Sequence, residues 1–373
     1  MNLATHLHDL IARSSITGRE RGLATWLLDS WADAVDEAVV DRMGSYIGLK
    51  RGARSSATLA DLPHPGPESK EPTFRHPGAP KILIATHIDS IGLMVTKIEK
   101  GGFLRVTNVG GVDRRILQAQ EVEIHTSKRV VPGLIGSKPP HITSAGERNK
   151  LLPLEELYID TGLAEATVRD LVRVGDAVLP RMLTTPLQNG RIAGRYMDNR
   201  ASVAALRYAL GELKGKAHTA DLYAVGTAGE EFGGLSGAVT TTYAIKPDVA
   251  IAVDVTFGQH PGAEADSFPL GGGPTIGVGP NCSPKLVKLM RRTAEELGIP
   301  YHLEVMPGSS GTDAWGMQVV RGGNASGVIS IPLRYMHTQV ETVDLKDIEM
   351  AGRLIAGITE RLDQAGMEDL TCY

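Results

Sequence analysis

Near the start of the chain, apolar residues recur at helical spacing. Leu3, Leu7, Leu10 and Ile11 fall on one face of a helix over residues 3–13. The stretch Ser-Ile-Thr-Gly-Arg-Glu (15–20) interrupts that pattern, and Leu23, Trp26, Leu27 and Trp31 mark a second helix. Over residues 51–80 apolar density collapses and Ser, Pro, Gly and charge dominate, which predicts a long surface loop. The short run Lys-Ile-Leu-Ile-Ala-Thr (81–86) then reads as a buried strand. Between 91 and 180 the rhythm is of short strands, at 92–98, 103–106, 121–125 and 130–135. Glycines 101, 102, 110 and 111 punctuate them, and Gly175-Asp176 closes the last turn. Near-regular spacing of this kind predicts a small β-barrel or sandwich.

From about residue 190 the rhythm changes again. Helices are expected at 201–213, 284–297 and 345–362, and strands at 222–227, 249–254 and 328–332. Strands alternating with helices indicate an α/β fold with a mainly parallel central sheet flanked by helices. The simplest architecture is one α/β domain, residues 1–89 and 181–373, interrupted by a β-barrel domain at 90–180. At 373 residues the chain is long enough for both parts.

Composition narrows the class of function. The formal net charge is −4, and no dense Lys/Arg stripe with interleaved aromatics exists, so nucleic acid is not an expected partner. No run of about 18 apolar residues occurs, so no membrane span is expected. The first ten residues lack the charged and apolar regions of a signal peptide. Cys282 and Cys372 are the only cysteines, which fits a reducing, cytoplasmic setting and gives no disulfide framework. Gly-Gly-Gly-Pro (271–274) lacks the Lys-Ser/Thr of a phosphate loop, and Cys282 has no sequence neighbour suited to nucleophilic chemistry.

Five stretches stand where apolar strands run out, which is where ligands bind in open α/β sheets. They are His87-Ile-Asp89, Asp198-Asn-Arg200, Gly229-Glu-Glu231, Val253-Asp254 and Met336-His337. Taken singly, each has a plain structural reading. His87 and His337 could be hydrogen-bonded structural histidines, and Asp198 a helix cap. Glu230 and Glu231 could be a solvated acidic first turn, and Asp254 could be paired with an arginine. Together, His87, Asp198, Glu231, Asp254 and His337 make a two-imidazole, three-carboxylate set that suits zinc, cobalt or manganese. If Asp198 is shared, each ion of a pair has three protein ligands. Asp89, two residues from His87, could fix the imidazole tautomer. Glu230 could act as general base.

These stretches, in this order, resemble the two-metal aminopeptidases that assemble as hollow tetrahedral particles. That family comprises the glutamyl/leucyl and deblocking aminopeptidases, and some of its members carry an endoglucanase label. The resemblance covers nearly the whole chain. It includes Thr-Gly-Arg-Glu (17–20), His-Ile-Asp-Ser-Ile-Gly-Leu-Met-Val (87–95), Leu-Ile-Gly-Ser-Lys-Pro-Pro-His (134–141) and Asp-Asn-Arg (198–200). It continues through Gly-Glu-Glu (229–231), Pro-Asp-Val-Ala-Ile-Ala-Val-Asp (247–254), Gly-Thr-Asp-Ala (311–314) and Ile-Pro-Leu-Arg-Tyr-Met-His (331–337). It implies a zinc-peptidase-like host fold and two divalent metal ions per subunit, zinc first, with cobalt or manganese also fitting. His87 and Asp254 would hold one ion, Glu231 and His337 the other, and Asp198 both. Asp89 would support His87, and Glu230 would be the catalytic base. The resemblance further implies peptide substrates, a dimerisation role for the barrel, the Pro-Pro-His loop (139–141) near a neighbour's site, and a homo-oligomer, a dodecamer. Residues 308–314 would line the substrate pocket. Departures are Ser90, where an acid is expected, one extra residue in 233–238, and the long 51–80 loop.

Three other readings remain at this level. The same metal core could serve an N-acyl amino-acid deacylase or a dipeptidase. A metal-independent glycosidase would need two carboxyls flanking a sugar bond. A non-catalytic scaffold would be expected to have lost a ligand or the base.

Overall fold

The computed structural model describes residues 2–53, 55–62, 79–144, 146, 150–363, 366 and 370. An 11-stranded mixed sheet forms its centre. Four strands in the middle run parallel, in the order Asp221–Thr227, Lys81–His87, Val249–Phe257 and Ala325–Arg334. They are nearly continuous apolar runs and are buried along almost their whole length, as strands covered on both faces must be. The parallel character expected from the sequence holds for this centre, and the flanks turn antiparallel. On one side the hairpin Glu37–Val40/Tyr46–Lys50 pairs with Asp221–Thr227. On the other, Glu341–Asp344, Arg191–Gly194 and Thr185–Pro186 extend the sheet from Ala325–Arg334. A short branch, Thr275–Val278 with His302–Val305, also joins Ala325–Arg334.

The helices lie close to where the periodicity puts them, at Leu3–Ile11, Arg21–Ser30, Pro284–Glu296 and Leu345–Arg361. Leu345–Arg361 packs on Met197–Glu212, which also meets Leu3–Ile11. The expected 201–213 helix begins earlier, at Met197, but Asp198 and Asn199 have non-helical torsions (φ/ψ −78/100 and −121/32). Asp198 is therefore no cap. Tyr196 occupies the cap position without a side-chain cap bond, which frees the Asp198 carboxylate for other partners.

Six short strands between Gly92 and Pro180 close into a barrel, in the order Gly92–Ile98, Leu104–Val109, Ile159–Asp160, Val130–Ile135, Glu121–His125 and Ala177–Pro180. The barrel has its own core, with Leu93, Val95, Val106, Val122, Ile124 and Val131 among its members. A small third cluster of Ile16, Ala177, Leu179 and Tyr196 joins the barrel to the segments leading into the sheet. Gly92 belongs to this joint, since a Cβ there would fall 2.6 Å from Ile16 Cδ1. The middle of the expected 51–80 loop, residues 63–78, lies outside the described residues. Its first part is pinned: the Gly52 amide and Ser55 hydroxyl donate to Asp221, and the Thr58 hydroxyl and Leu59 amide donate to Glu37. Among the described residues no helix is long and apolar enough to cross a membrane.

Candidate active site

The parallel register brings the carboxyl ends of the central strands to one edge. Thr227 pairs with His87, and Asp254 with Ser330. His87 ends its strand and Asp254 lies near the end of its own, while Glu231 and His337 stand in the segments that follow Asp221–Thr227 and Ala325–Arg334, so the site follows from the register and from the rule for open α/β sheets.

Seven predicted residues converge. His87 Nε2 lies 3.0 Å from Asp198 Oδ1 and 3.6 Å from Asp254 Oδ1. His337 Nε2 lies 3.4 Å from Asp198 Oδ2 and 3.4 Å from Glu231 Oε2. Two triads result, His87–Asp198–Asp254 and Asp198–Glu231–His337, each with one ligand atom per residue within 4.8 Å of the others. Asp198 belongs to both, one oxygen in each. Asp89 is fully buried beside His87, with Oδ1 3.5 Å from Nδ1. Its oxygens also accept from the Glu230 and Glu231 amides at 3.1 Å each and from the Thr17 hydroxyl at 2.7 Å. One carboxylate thus ties the His87 strand to the Gly-Glu-Glu segment. Gly111 lets the barrel approach closely. Its carbonyl accepts from His337 Nδ1 at 3.2 Å, and a Cβ there would fall 2.9 Å from the same atom.

The electrostatics show an excess of buried acid. Burial, together with the carboxylates of Asp254 and Asp313, pushes Glu230 up to about 9 despite His87. Burial and Asp198 drive Glu231 well above the usual carboxylate range, and burial raises Asp254 as well. Burial opposes ionisation of Asp198 too, but hydrogen bonds with His337 and His87 outweigh it and hold Asp198 low. His87 is raised well above its ordinary value: burial works against the cation, and Asp254, Asp198 and Asp89 overcome it. Glu231 Oε1 is buried with no hydrogen-bond partner among the described residues. Crowded carboxylates with an orphaned oxygen and two facing imidazoles are a poor arrangement without added positive charge. The donor set fits divalent ions.

Two residues to which sequence reasoning gave no ligand or base role, Glu341 and Asp313, also belong to the site. Glu341, 2% exposed, accepts from the Asp198 amide at 3.1 Å and from the His337 amide at 2.7 Å, so one carboxylate fixes the backbone of both. It stood in the stretch quoted around His337, but its partner at 198 is far away in sequence. Asp313 is buried, accepts from the Thr227 hydroxyl through Oδ2, and has no partner at Oδ1 among the described residues. Burial pushes it up to about 7. Ser90, standing where an acid was expected, is fully buried and donates to the Ser15 carbonyl at 3.2 Å. The cavity beside the cluster is walled by barrel residues and by Ile91, Tyr196 and Gln339, with Asp198, Glu231 and His337 at one side. Of residues 308–314, expected to line the substrate pocket, Asp313 lies buried beside the cluster, where His87, Asp254 and Asp89 act on its carboxyl.

Comparison with known proteins identifies the family of the chain. The family model described as M42 glutamyl aminopeptidase matches residues 73–354. A lysyl aminopeptidase of Pyrococcus furiosus is 34% identical over 358 residues, 95% of each chain. The structure of an aminopeptidase from the archaeon Desulfurococcus kamchatkensis superposes with a TM-score of 0.86 at 33% identity, covering 99% of this chain and 97% of that one. The TET1 peptidase of Pyrococcus horikoshii superposes with a TM-score of 0.81 at 27% identity, covering 97% of this chain and 100% of that one. This chain belongs to the M42 glutamyl aminopeptidase family and is a peptide hydrolase.

Proposed function

We propose that the enzyme is a metal-dependent aminopeptidase that removes N-terminal residues from peptides with two divalent ions, zinc first, cobalt or manganese otherwise. The observation that carries this reading is the Asp198 carboxylate, which offers Oδ1 toward His87 and Oδ2 toward His337. His87 and Asp254 would hold one ion and Glu231 and His337 the other, with Asp198 common to both. When bound, such a pair acidifies a shared water and polarises the scissile carbonyl. The protein's own groups do the rest. Asp89 holds the His87 ring through Nδ1 and keeps Nε2 turned to the cluster. Glu230, on a backbone tethered to Asp89, is raised by burial and the neighbouring acids. With those acids offset by the positive charge of bound ions, its carboxylate is free to take a proton from the attacking water and return it to the leaving amine nitrogen.

The same reading makes the protein a homo-oligomer, a dodecamer, with residues 90–180 as the dimerisation domain. Two observations support it. The P. horikoshii TET1 peptidase can assemble into a tetrahedron or a large octahedral shell. The barrel strand Val130–Ile135 alternates exposed and buried positions, yet Val130 and Leu134 on its outer face are apolar and 47% and 55% exposed.

Two variants compared on one metal-replete preparation test the assignment. Asp198→Asn is expected to lose bound ions and turnover together. Glu230→Gln is expected to keep its ions and lose about 10²–10⁴-fold in kcat. A Glu230→Gln protein with full turnover, or an Asp198→Asn protein with a full complement of ions, contradicts the assigned roles.

A further inference from the structure

We propose that Asp313 is a positioning residue of the reaction. By accepting from the Thr227 hydroxyl it sets the turn at residues 227–231, and with it the place of the Glu230 carboxylate. This inference rests on the aminopeptidase reading above and adds a residue to which that reading gave no task.

The turn leaves the strand Asp221–Thr227 and carries both Glu230 and Glu231. Its backbone is tight. Gly229 has φ 73°, and a Cβ there would fall 2.6 Å from Ser236 Oγ. Side chains hold the turn from two sides. On one side Asp89 accepts from the Glu230 and Glu231 amides, and the Ser45 hydroxyl accepts from the Ala228 amide at 3.2 Å. On the other, Asp313 Oδ2 accepts from the Thr227 hydroxyl. Thr227 and Asp313 are 0% and 2% exposed, so water does not compete for this bond.

Asp313 opens the helix Asp313–Gln318, which packs on the strands Val249–Phe257 and Ala325–Arg334. The first of these strands carries Asp254 and the second leads into His337. The bond from Thr227 therefore joins the turn to elements that supply one ligand of each triad, whereas Asp89 joins it to the His87 segment. The anchor is itself fixed. The Thr312 hydroxyl accepts from the Ala314 amide at 3.3 Å. Buried Asn281 donates to the Ala314 carbonyl at 3.1 Å and accepts from the Ser310 hydroxyl.

An ordinary core role does not explain an acid here. Asp313 Oδ1 has no hydrogen-bond partner among the described residues, and burial and the nearby Asp254 and Asp89 all oppose its charge. A neutral acceptor for Thr227 would cost less to bury. An ionised acceptor makes the stronger bond, and the positive charge of bound ions offsets the repulsion once the site is loaded.

The test uses the full-length, metal-replete protein and whichever of Leu-, Glu- and Lys-p-nitroanilide the wild type turns over fastest. Ion content and Tm are measured on the same samples. Thr227→Val removes the donating hydroxyl with little change of shape. It is expected to lower kcat about 10–100-fold with KM and ion content unchanged. Thr227→Ser, which restores the hydroxyl, should recover most of that loss. Asp313→Ala should match Thr227→Val, and Asp313→Asn, which keeps an accepting oxygen without the charge, should fall between it and the wild type. The double variant Thr227→Val/Asp313→Ala should be no slower than either single one, because both remove one bond. A Thr227→Val protein with a lowered Tm and wild-type kcat overturns the proposal, since that is what packing alone would give. Losses that multiply in the double variant overturn it as well. A wild type that binds its ions yet cleaves none of the three substrates overturns the aminopeptidase reading itself, which is a different result.

Discussion

At the scale of single residues, the site shows how much can be read where chemistry and strand ends coincide. His87, Asp198, Glu231, Asp254 and His337 each follow or end an apolar run, and a buried carboxylate or imidazole at such a point needs a partner. The structure brings all five together with Asp89 and Glu230. Glu341 was not legible in the same way. It begins a strand instead of ending one, and its value lies in accepting from two amides 139 residues apart in sequence, at positions 198 and 337. His337 has φ 61°, in the left-handed region, so its backbone depends on that bond more than an ordinary residue would. Glu341→Ala is therefore expected to weaken divalent-ion binding about 10–100-fold. Glu341→Gln, which keeps one accepting oxygen, should fall between the two. Competition with a fluorescent chelator measures this, and an Ala variant with unchanged affinity would remove the positioning role.

At the scale of elements, periodicity recovered the long helices and buried strands and failed where pairing decides. The hairpin Glu37–Val40/Tyr46–Lys50 is too short and too mixed to announce itself, and it is held by pairing with Asp221–Thr227 far along the chain. The antiparallel flanks of the sheet were equally hidden, since strand direction is a property of register and not of composition. The first helix carries a testable feature of its own. His6 lies 5.9 Å from the Trp26 ring, and its Nε2 accepts from Trp31 Nε1 at 3.4 Å. Burial, aided by Arg207, lowers His6 to about 4. A histidine depressed in the folded state binds its proton more readily when unfolded. Stability from this group is thus complete above the unfolded value of about 6.5 and lost as pH falls from there to about 4, on the order of 3 kcal/mol. Subtracting the pH–Tm profile of His6→Gln from that of the wild type should isolate a fall in this window. A flat difference would show that His6 is not the group responsible.

At the scale of the whole molecule, an inserted barrel and an α/β host are joined at one edge. The barrel contributes directly to the site through Gly111, whose carbonyl meets His337, and through the cavity wall. The change of rhythm near residues 91 and 190 made two architectures legible. That the barrel would wall the cavity was not, because the contact joins segments from opposite parts of the fold. Assembly belongs to this scale as well. If the outer face of Val130–Ile135 is covered by a second copy, Leu134→Lys should break a dodecamer into smaller species by light scattering, with the fold intact by circular dichroism. A wild-type protein that runs as a monomer at micromolar concentration contradicts the assembly.

The central claim is that buried acids and imidazoles at the carboxyl ends of four parallel strands hold two divalent ions for peptide hydrolysis. The direct measurement is to strip the purified protein with a chelator, restore zinc, cobalt or manganese, and follow metal content and p-nitroanilide turnover together. The account predicts about two ions per chain, activity lost on stripping, and activity regained as they return. A stripped protein that retains its turnover, or one that binds no divalent ion, contradicts it.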